Sequence, residues 1–323
     1  MSKYLFLIVP LLFIGCSTKL TVRSLESSNI VKENIHNIFL EQFTNDDINQ
    51  TNYLENELVN ARLENKKVFT IKPSFENIDG IISGEVLESS LDFYTYYDED
   101  FTSRCARYET INGIRTCVRY KLRRIPCERK NFRVKTQVKV LNKNHEVVFS
   151  KIYTKTKFEN RCYRYSSGFN TLFLYNSHYY KEEIQRVNPS LAKEIAKDVI
   201  KDIAPHYRFL NIEVIESINN DNKEIQKEFE DSINLIKEKN INSAEIKLEK
   251  LNKTLYSNSY EVLYNLGLIN ESNNKLHKAI YYYEQALKLG KEQKDLSLIN
   301  DAINRVEKNL KNIDETKAQL DNI

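Results

Sequence analysis

"FRVKTQVKVLNKNHEVVFSKIYTK", residues 132–155, decides how the first half of the chain folds. Val134, Thr136, Val138 and Val140 fall on one side of an extended chain and Arg133, Lys135, Gln137 and Lys139 on the other, because successive strand side chains point to opposite faces. Val147 to Lys157 returns through Val148, Ile152 and Tyr153, and Asn142 to His145 supplies the turn, so the stretch reads as a long hairpin with one buried face. A turn centred between Asn144 and His145 places Cys127 opposite Cys162 unless a bulge shifts the register. Four cysteines follow residue 16, which allows three connectivities; this register leaves Cys105 and Cys117 to pair around the Asn112-Gly113 turn signal. Zinc is the other use of four cysteines, but the chain has no C-x-x-C spacing.

Outward from the hairpin, strands and helices alternate. Ile35 to Phe43 has a strand's apolar content, Asn49 to Leu63 carries Tyr53, Leu54, Leu58 and Ala61 at helical spacing, and Val68 to Ile71 is a second strand. Asp79 to Leu87 is a third, in which Gly84 predicts a bulge or a close backbone approach. Downstream, Pro189 suits a first helical position, and Leu191, Ile195, Ala196, Val199, Ile200 and Ile203 form an apolar stripe that stops at Pro205. Phe209 to Ile215 then returns as a strand. The order predicts an α/β (α+β) sandwich-like domain with a mixed sheet over residues 35–216, its helices forming cover layers. Residues 16–34 lack periodicity and read as a tether.

The 323 residues suit about two domains at roughly 150 residues each. From residue 217 to 323 the pattern is helical. Ala244, Leu248 and Leu251 recur 35 residues later as Ala279, Tyr283 and Ala286, and Gly267 falls where one helix must let its neighbour approach. "VLYNLGLINESNNKLHKAIYYYEQALKLG" (262–290) resembles a tetratricopeptide (TPR) repeat, with Phe229, Ser232 and Ile233 marking a degenerate unit before it. Asn270 and Lys291 depart from its usual aromatic and proline. Ile299, Ala302, Ile303, Val306 and Leu310 give a capping helix. The resemblance implies an inner face presenting Tyr264, Leu268 and Glu271 to a partner, with Tyr281 and Tyr282 as further anchors. A carboxylate clamp's basic and asparagine residues are missing from that face.

The chain opens with Lys3, the apolar run Tyr4 to Ile14, and Phe13-Ile14-Gly15-Cys16, the layout of an export signal over residues 1–15. Eleven apolar residues are too few to span a bilayer, which needs about 20. The segment resembles a bacterial lipobox, which implies acylation of Cys16. Ser17 in place of aspartate resembles lipoproteins sorted to the outer membrane, facing the periplasm. Several acyl chains give stable anchoring where one is reversible.

The first folded unit is similar to the α/β domain of the CsgG secretion lipoprotein and the LpoB-type activators of peptidoglycan synthases, on the strands IHNIFLEQF and DGIISGEVLES, the hairpin, and "SLAKEIAKDVIKDIAPHY". Members of that group act by binding and assembly. Together these resemblances imply a non-enzymatic adaptor or scaffold lipoprotein that holds another cell-envelope protein, without cofactor or metal. Nucleophile-elbow, P-loop and Rossmann signatures are absent, and the five histidines (36, 145, 178, 206, 277) make no H-x-x-x-H pair. Export also removes the chain from nucleic acid.

One stretch is electrostatically distinct. From Arg104 to Lys135 eleven cations face only Glu109 and Glu128, in a chain whose net charge is +3. Arg115, Arg119, Lys121 and Arg123 alternate with Thr116, Val118, Tyr120 and Leu122, so a strand with one cationic face follows. Such a face serves either as an anion-binding surface for lipid phosphates, lipopolysaccharide or an acidic partner, or as a solvated edge that resists aggregation. The same segment, paired with Leu91, Phe93, Thr95 and Tyr97, is long enough for a membrane strand, which keeps open a CsgG-like subunit of an oligomeric outer-membrane channel. The second insert such a subunit needs, Glu159 to Glu182, lacks sustained alternation. Oligomeric state is left open.

Overall fold

A computed structural model describes residues 17–163 and 177–320. The signal segment and Cys16 lie outside the described residues. The chain is of mixed α/β content, with a curled mixed sheet and, among the described residues, seven α-helices. It divides into two compact units: one of Ser28–Pro205 with the chain from Thr316 on, and a second that joins residues up to Ser27 to His206–Glu315.

In the first unit, β2 (Asn37–Leu40), β5 (Thr70–Ile71), β6 (Gly80–Ile111), β7 (Ile114–Asn142) and β8 (Val147–Cys162) form a five-stranded sheet in the order β5-β2-β6-β7-β8. β2 runs parallel to both neighbours, and β6, β7 and β8 form an antiparallel meander, while the short β3 (Arg62–Leu63) and β4 (Lys66–Lys67) pair with each other apart from this sheet. The β7–β8 hairpin has the expected register: Glu128 faces Arg161 and Cys127 faces Cys162. Its bulge sits beside the turn, between Val140 and Leu141, where it leaves the pairing further out unchanged. Phe132, Val134, Thr136, Val138 and Val140 are all fully buried, so alternation and burial coincide.

Two helices, α1 (Gln50–Asn60) and α2 (Ser177–Ile203), cover that face. The Asp46 carboxylate caps α1, accepting from the backbone N–H groups of Gln50 (2.6 Å) and Thr51 (2.9 Å). Gln50 itself is wholly buried yet satisfied: its Nε2 donates to the Ala192 carbonyl of α2 and its Oε1 accepts from Thr136 Oγ1 of β7. Gly84 marks a close approach, because a Cβ there would lie 2.4 Å from the Phe43 ring and 2.7 Å from the Gln137 carbonyl. The irregularity in β6 comes a few residues later, between Val86 and Glu88.

The structure departs from three expectations. Pro189 lies inside α2 and not at its start. Its ring removes one backbone bond, while the Ser190 hydroxyl donates to the Val187 carbonyl at 2.7 Å. Within the expected tether, Lys19–Glu26 forms strand β1, which pairs antiparallel with β9 (His206–Glu213) in a two-stranded sheet of its own. That pairing places both strands with the helical unit, so the division falls near residues 27 and 206 instead of 216.

The second unit packs these two strands with α3 (Lys223–Lys237), α4 (Ile241–Thr254), α5 (Tyr260–Ser272), α6 (Leu276–Leu289) and α7 (Gln293–Leu320). Leu20 and Val22 of β1 join Phe229, Leu248, Tyr264, Tyr283 and Val306 in one core. The polar edge of β1 is sewn to α7: Leu25 N–H donates to Asn309 Oδ1 at 2.8 Å, and Asn312 Nδ2 donates to the Leu25 carbonyl at 2.7 Å. Ala244, Leu248 and Leu251 are fully buried, as are Ala279, Tyr283 and Ala286. The recurrence read in the sequence is a recurrence of packed positions. Gly267 faces the Tyr283 ring, which a Cβ would meet at 2.6 Å.

Candidate functional site

Pairing between β7 and β8 ends at Cys127 and Cys162, but β6 and β7 continue together to a turn at Asn112 and Gly113, both with positive φ. An Asn-Gly pair suits a two-residue hairpin turn of this hand. From Tyr97 opposite Pro126 outward the result is an arm, a two-stranded ribbon about 14 residues long, or roughly 45 Å at 3.3 Å per residue. Two disulfides hold it, as the register predicts: Cys127–Cys162 at the root and Cys105–Cys117 further out. All four sulfurs are thereby bonded, so none of them is a thiolate for zinc.

From Ile114 to Arg124 every residue of the arm's second strand except Cys117 is exposed, on both faces. Val118, Tyr120 and Leu122 have 42%, 48% and 51% of their surface accessible. Arg115, Arg119, Lys121 and Arg123 are exposed as well, so the structure brings the predicted cationic residues together on one strand. The Arg115 guanidinium lies 4.4 Å from the Tyr108 ring centroid, and Arg107 pairs with Glu109 at 2.8 Å. Arg107 also stands directly across from Arg119, while Arg123 faces Asp100 and Arg124 faces Glu99.

The root holds charge of another kind. Lys130 and Glu128 on β7 are almost wholly buried, 3.4 Å apart, and Lys130 reaches Glu183 of α2 at 3.0 Å. Arg186 bridges Glu183 (2.8 Å) and Glu159 (2.9 Å). Burial alone would raise the Glu183 pKa, but its bonds to Arg186 and Lys130 outweigh that and hold it below the usual carboxylate value. The Tyr163 phenol donates to Glu128 at 2.8 Å; burial, then that carboxylate, pushes its pKa up to about 12. Lys130 gives no sign of this burial in the sequence, because it sits inside a run of cations.

In the helical unit the expected inner face is closed. Tyr264, Leu268 and Glu271 are buried, since β1 and neighbouring helices cover α5 on every side and all residues from Glu261 to Glu271 are inaccessible. These three are therefore core residues and not partner contacts. Glu271 accepts two bonds from Arg305 of α7, both at 2.7 Å, and a third from Tyr283 Oη at 2.8 Å. Burial, and then this carboxylate, raise the Tyr283 pKa well above its ordinary value. Tyr282 is only half-buried, with Lys278 Nζ 5.6 Å from its ring centroid, and Tyr281 beside it is 58% exposed.

A further concavity of about 830 Å³ is lined by His36, Asn37, Lys66, Lys67, Thr70 and Asp79. Its chemistry is already occupied. Asp79 accepts from the backbone N–H groups of His36 and Asn37, and His36 Nδ1 lies 3.0 Å from the Val68 carbonyl. Compared with models of known protein families and with curated proteins, the chain matches none.

Proposed function

We propose that the protein is a non-enzymatic, periplasm-facing lipoprotein, anchored in the outer membrane through acylated Cys16, that acts as an adaptor positioning another cell-envelope protein. One observation carries this reading: α3–α4 and α5–α6 are successive helical hairpins that bury equivalent positions 35 residues apart, with Gly267 against Tyr283. That is the packing logic of TPR-like units, which stack to present a binding surface. Tyr281 and Tyr282 are the anchors left accessible on α6, and tyrosine offers large area at small entropic cost. The test is a photo-crosslinking residue placed in turn at Tyr281, Tyr282 and Tyr256 of the full acylated chain in cells. A discrete protein adduct from the α6 positions, absent from Tyr256, is expected. No adduct, or the same adduct from Tyr256, sinks the reading.

The arm supports a second reading, a CsgG-like ring subunit, because its strands exceed the 9 to 11 residues that cross a membrane. The native mass of the detergent-extracted protein separates the two. A monomer or dimer removes the channel, and a closed ring of many copies replaces the adaptor.

A further inference from the structure

The arm carries features that an adaptor built on the helical unit does not use. Its charge is graded along its length. From Arg104 to Lys121 there are five cations and one acid, Glu109, whereas at the root three acids, Asp98, Glu99 and Asp100, lie across from Ile125, Arg124 and Arg123. Arg119 stands opposite Arg107 between two register shifts, and Glu109, paired with Arg107 at 2.8 Å, is one carboxylate against two guanidinium groups, so like charges across the strand pair still oppose it in water. An anion held between two guanidinium forks reverses the sign of that interaction, and phosphate oxygens fit such forks.

The end of the arm is apolar where a solvated ribbon would be polar. Ile111 and Ile114, which flank the turn, are 49% and 69% exposed. Behind them Arg115 lies over the Tyr108 ring, and Arg119, Tyr120 and Lys121 follow together on β7, all of them exposed. An aliphatic tip with cations and tyrosines mixed behind it suits a bilayer surface, where interfacial aromatics and phosphates share the headgroup layer above the acyl boundary.

We propose that the arm docks on an anionic lipid surface, lying tilted so that Arg115, Arg119 and Lys121 on one face of β7 reach the headgroup phosphates while Ile111 and Ile114 at its end enter the acyl boundary. An acidic protein would satisfy the cations but would leave the two isoleucines without a role. The docking is separate from the protein partner proposed above, and either can fail without the other.

The experiment is flotation of the full chain carrying Cys16→Ser, so that no acyl group contributes, with vesicles of phosphatidylglycerol and phosphatidylcholine and with phosphatidylcholine alone. Binding only to the anionic vesicles, weakening as salt is raised, is expected. Each basic residue near such a surface contributes about fivefold, so Arg119→Glu with Lys121→Glu lowers the partition coefficient by about 25-fold or more. Ile111→Ser with Ile114→Ser lowers it at unchanged charge, whereas Lys253→Glu with Lys291→Glu, at exposed positions of the helical unit, leaves it in place. Intact disulfides and an unchanged thermal midpoint certify each variant. Three results overturn the proposal: no binding to anionic vesicles, equal loss from the helical-unit reversal, or inorganic phosphate binding at the arm in calorimetry while vesicles do not float the chain.

Discussion

Strand β7 is two different objects joined at Cys127. From Phe132 to Val140 every second residue is fully buried beneath α1 and α2; from Ile114 to Arg124 all but Cys117 are exposed. Both halves alternate apolar and polar residues, so alternation fixes which residues share a face but not whether anything covers that face. Cover comes from elements far away in sequence. A strand with cover gains about 25 cal/mol per Å² of apolar surface removed from water. A two-stranded ribbon without it is marginal alone, and on the arm a disulfide takes the place of a core.

The largest test of this difference is a matched pair of truncations. Phe132→Ala removes a fully buried ring and is expected to cost about 3 to 5 kcal/mol in urea unfolding. Leu122→Ala, on the same strand, is expected to stay within about 0.5 kcal/mol of the parent, because half its surface is already in water. A cost near 2 kcal/mol at Leu122 would mean that the arm is covered in solution.

The disulfides sharpen the contrast at smaller scale. Cys127→Ala with Cys162→Ala opens a crosslink of sequence separation 35 inside the sheet, for an expected loss of about 2 to 4 kcal/mol. Cys105→Ala with Cys117→Ala, of separation 12, acts on a ribbon that opens without the core. The global midpoint should hold while amides from Arg104 to Arg119 lose protection from hydrogen exchange. Equal shifts in midpoint would show that the arm and the sheet unfold as one cooperative unit.

What could be read from the sequence follows the same line between local and distant causes. The β7–β8 register and both cystines were legible because a hairpin is a local structure: one turn and two alternating runs fix every pair between them. β1 was not. KLTVRSLE offers Leu20, Val22 and Leu25 as apolar residues, and its partner lies beyond residue 205. The helical periodicity was legible, including the Gly267 contact, yet the face assigned to a partner was wrong. A signal for that error is present, because α5 is apolar nearly all round and such a helix is buried on all sides. Arg305 as the mate of Glu271 had none, since nothing local to α7 ties it to a residue 34 positions earlier.

The smallest effects separate the cations of the two halves. At the root, Arg186 holds Glu183 and Glu159 below the ordinary carboxylate value although burial alone would raise both. A carboxyl whose folded pKa lies below its unfolded value of about 4.3 stabilises the fold above that pH, and the contribution is lost as pH falls through the folded pKa. Arg186→Gln should therefore make acid unfolding shallower below about pH 4. At neutral pH it should cost roughly 0.5 kcal/mol, because Arg186 is half exposed and screened. On the arm the sign reverses: Arg119→Gln relieves the repulsion from Arg107 and is expected to leave stability unchanged or raise it by about 0.2 kcal/mol. A loss at Arg119 as large as that at Arg186 would mean that the arm is held by its own charges. A gain would mean that a cation is kept there against the ribbon's own stability, as a residue selected for an external anion would be.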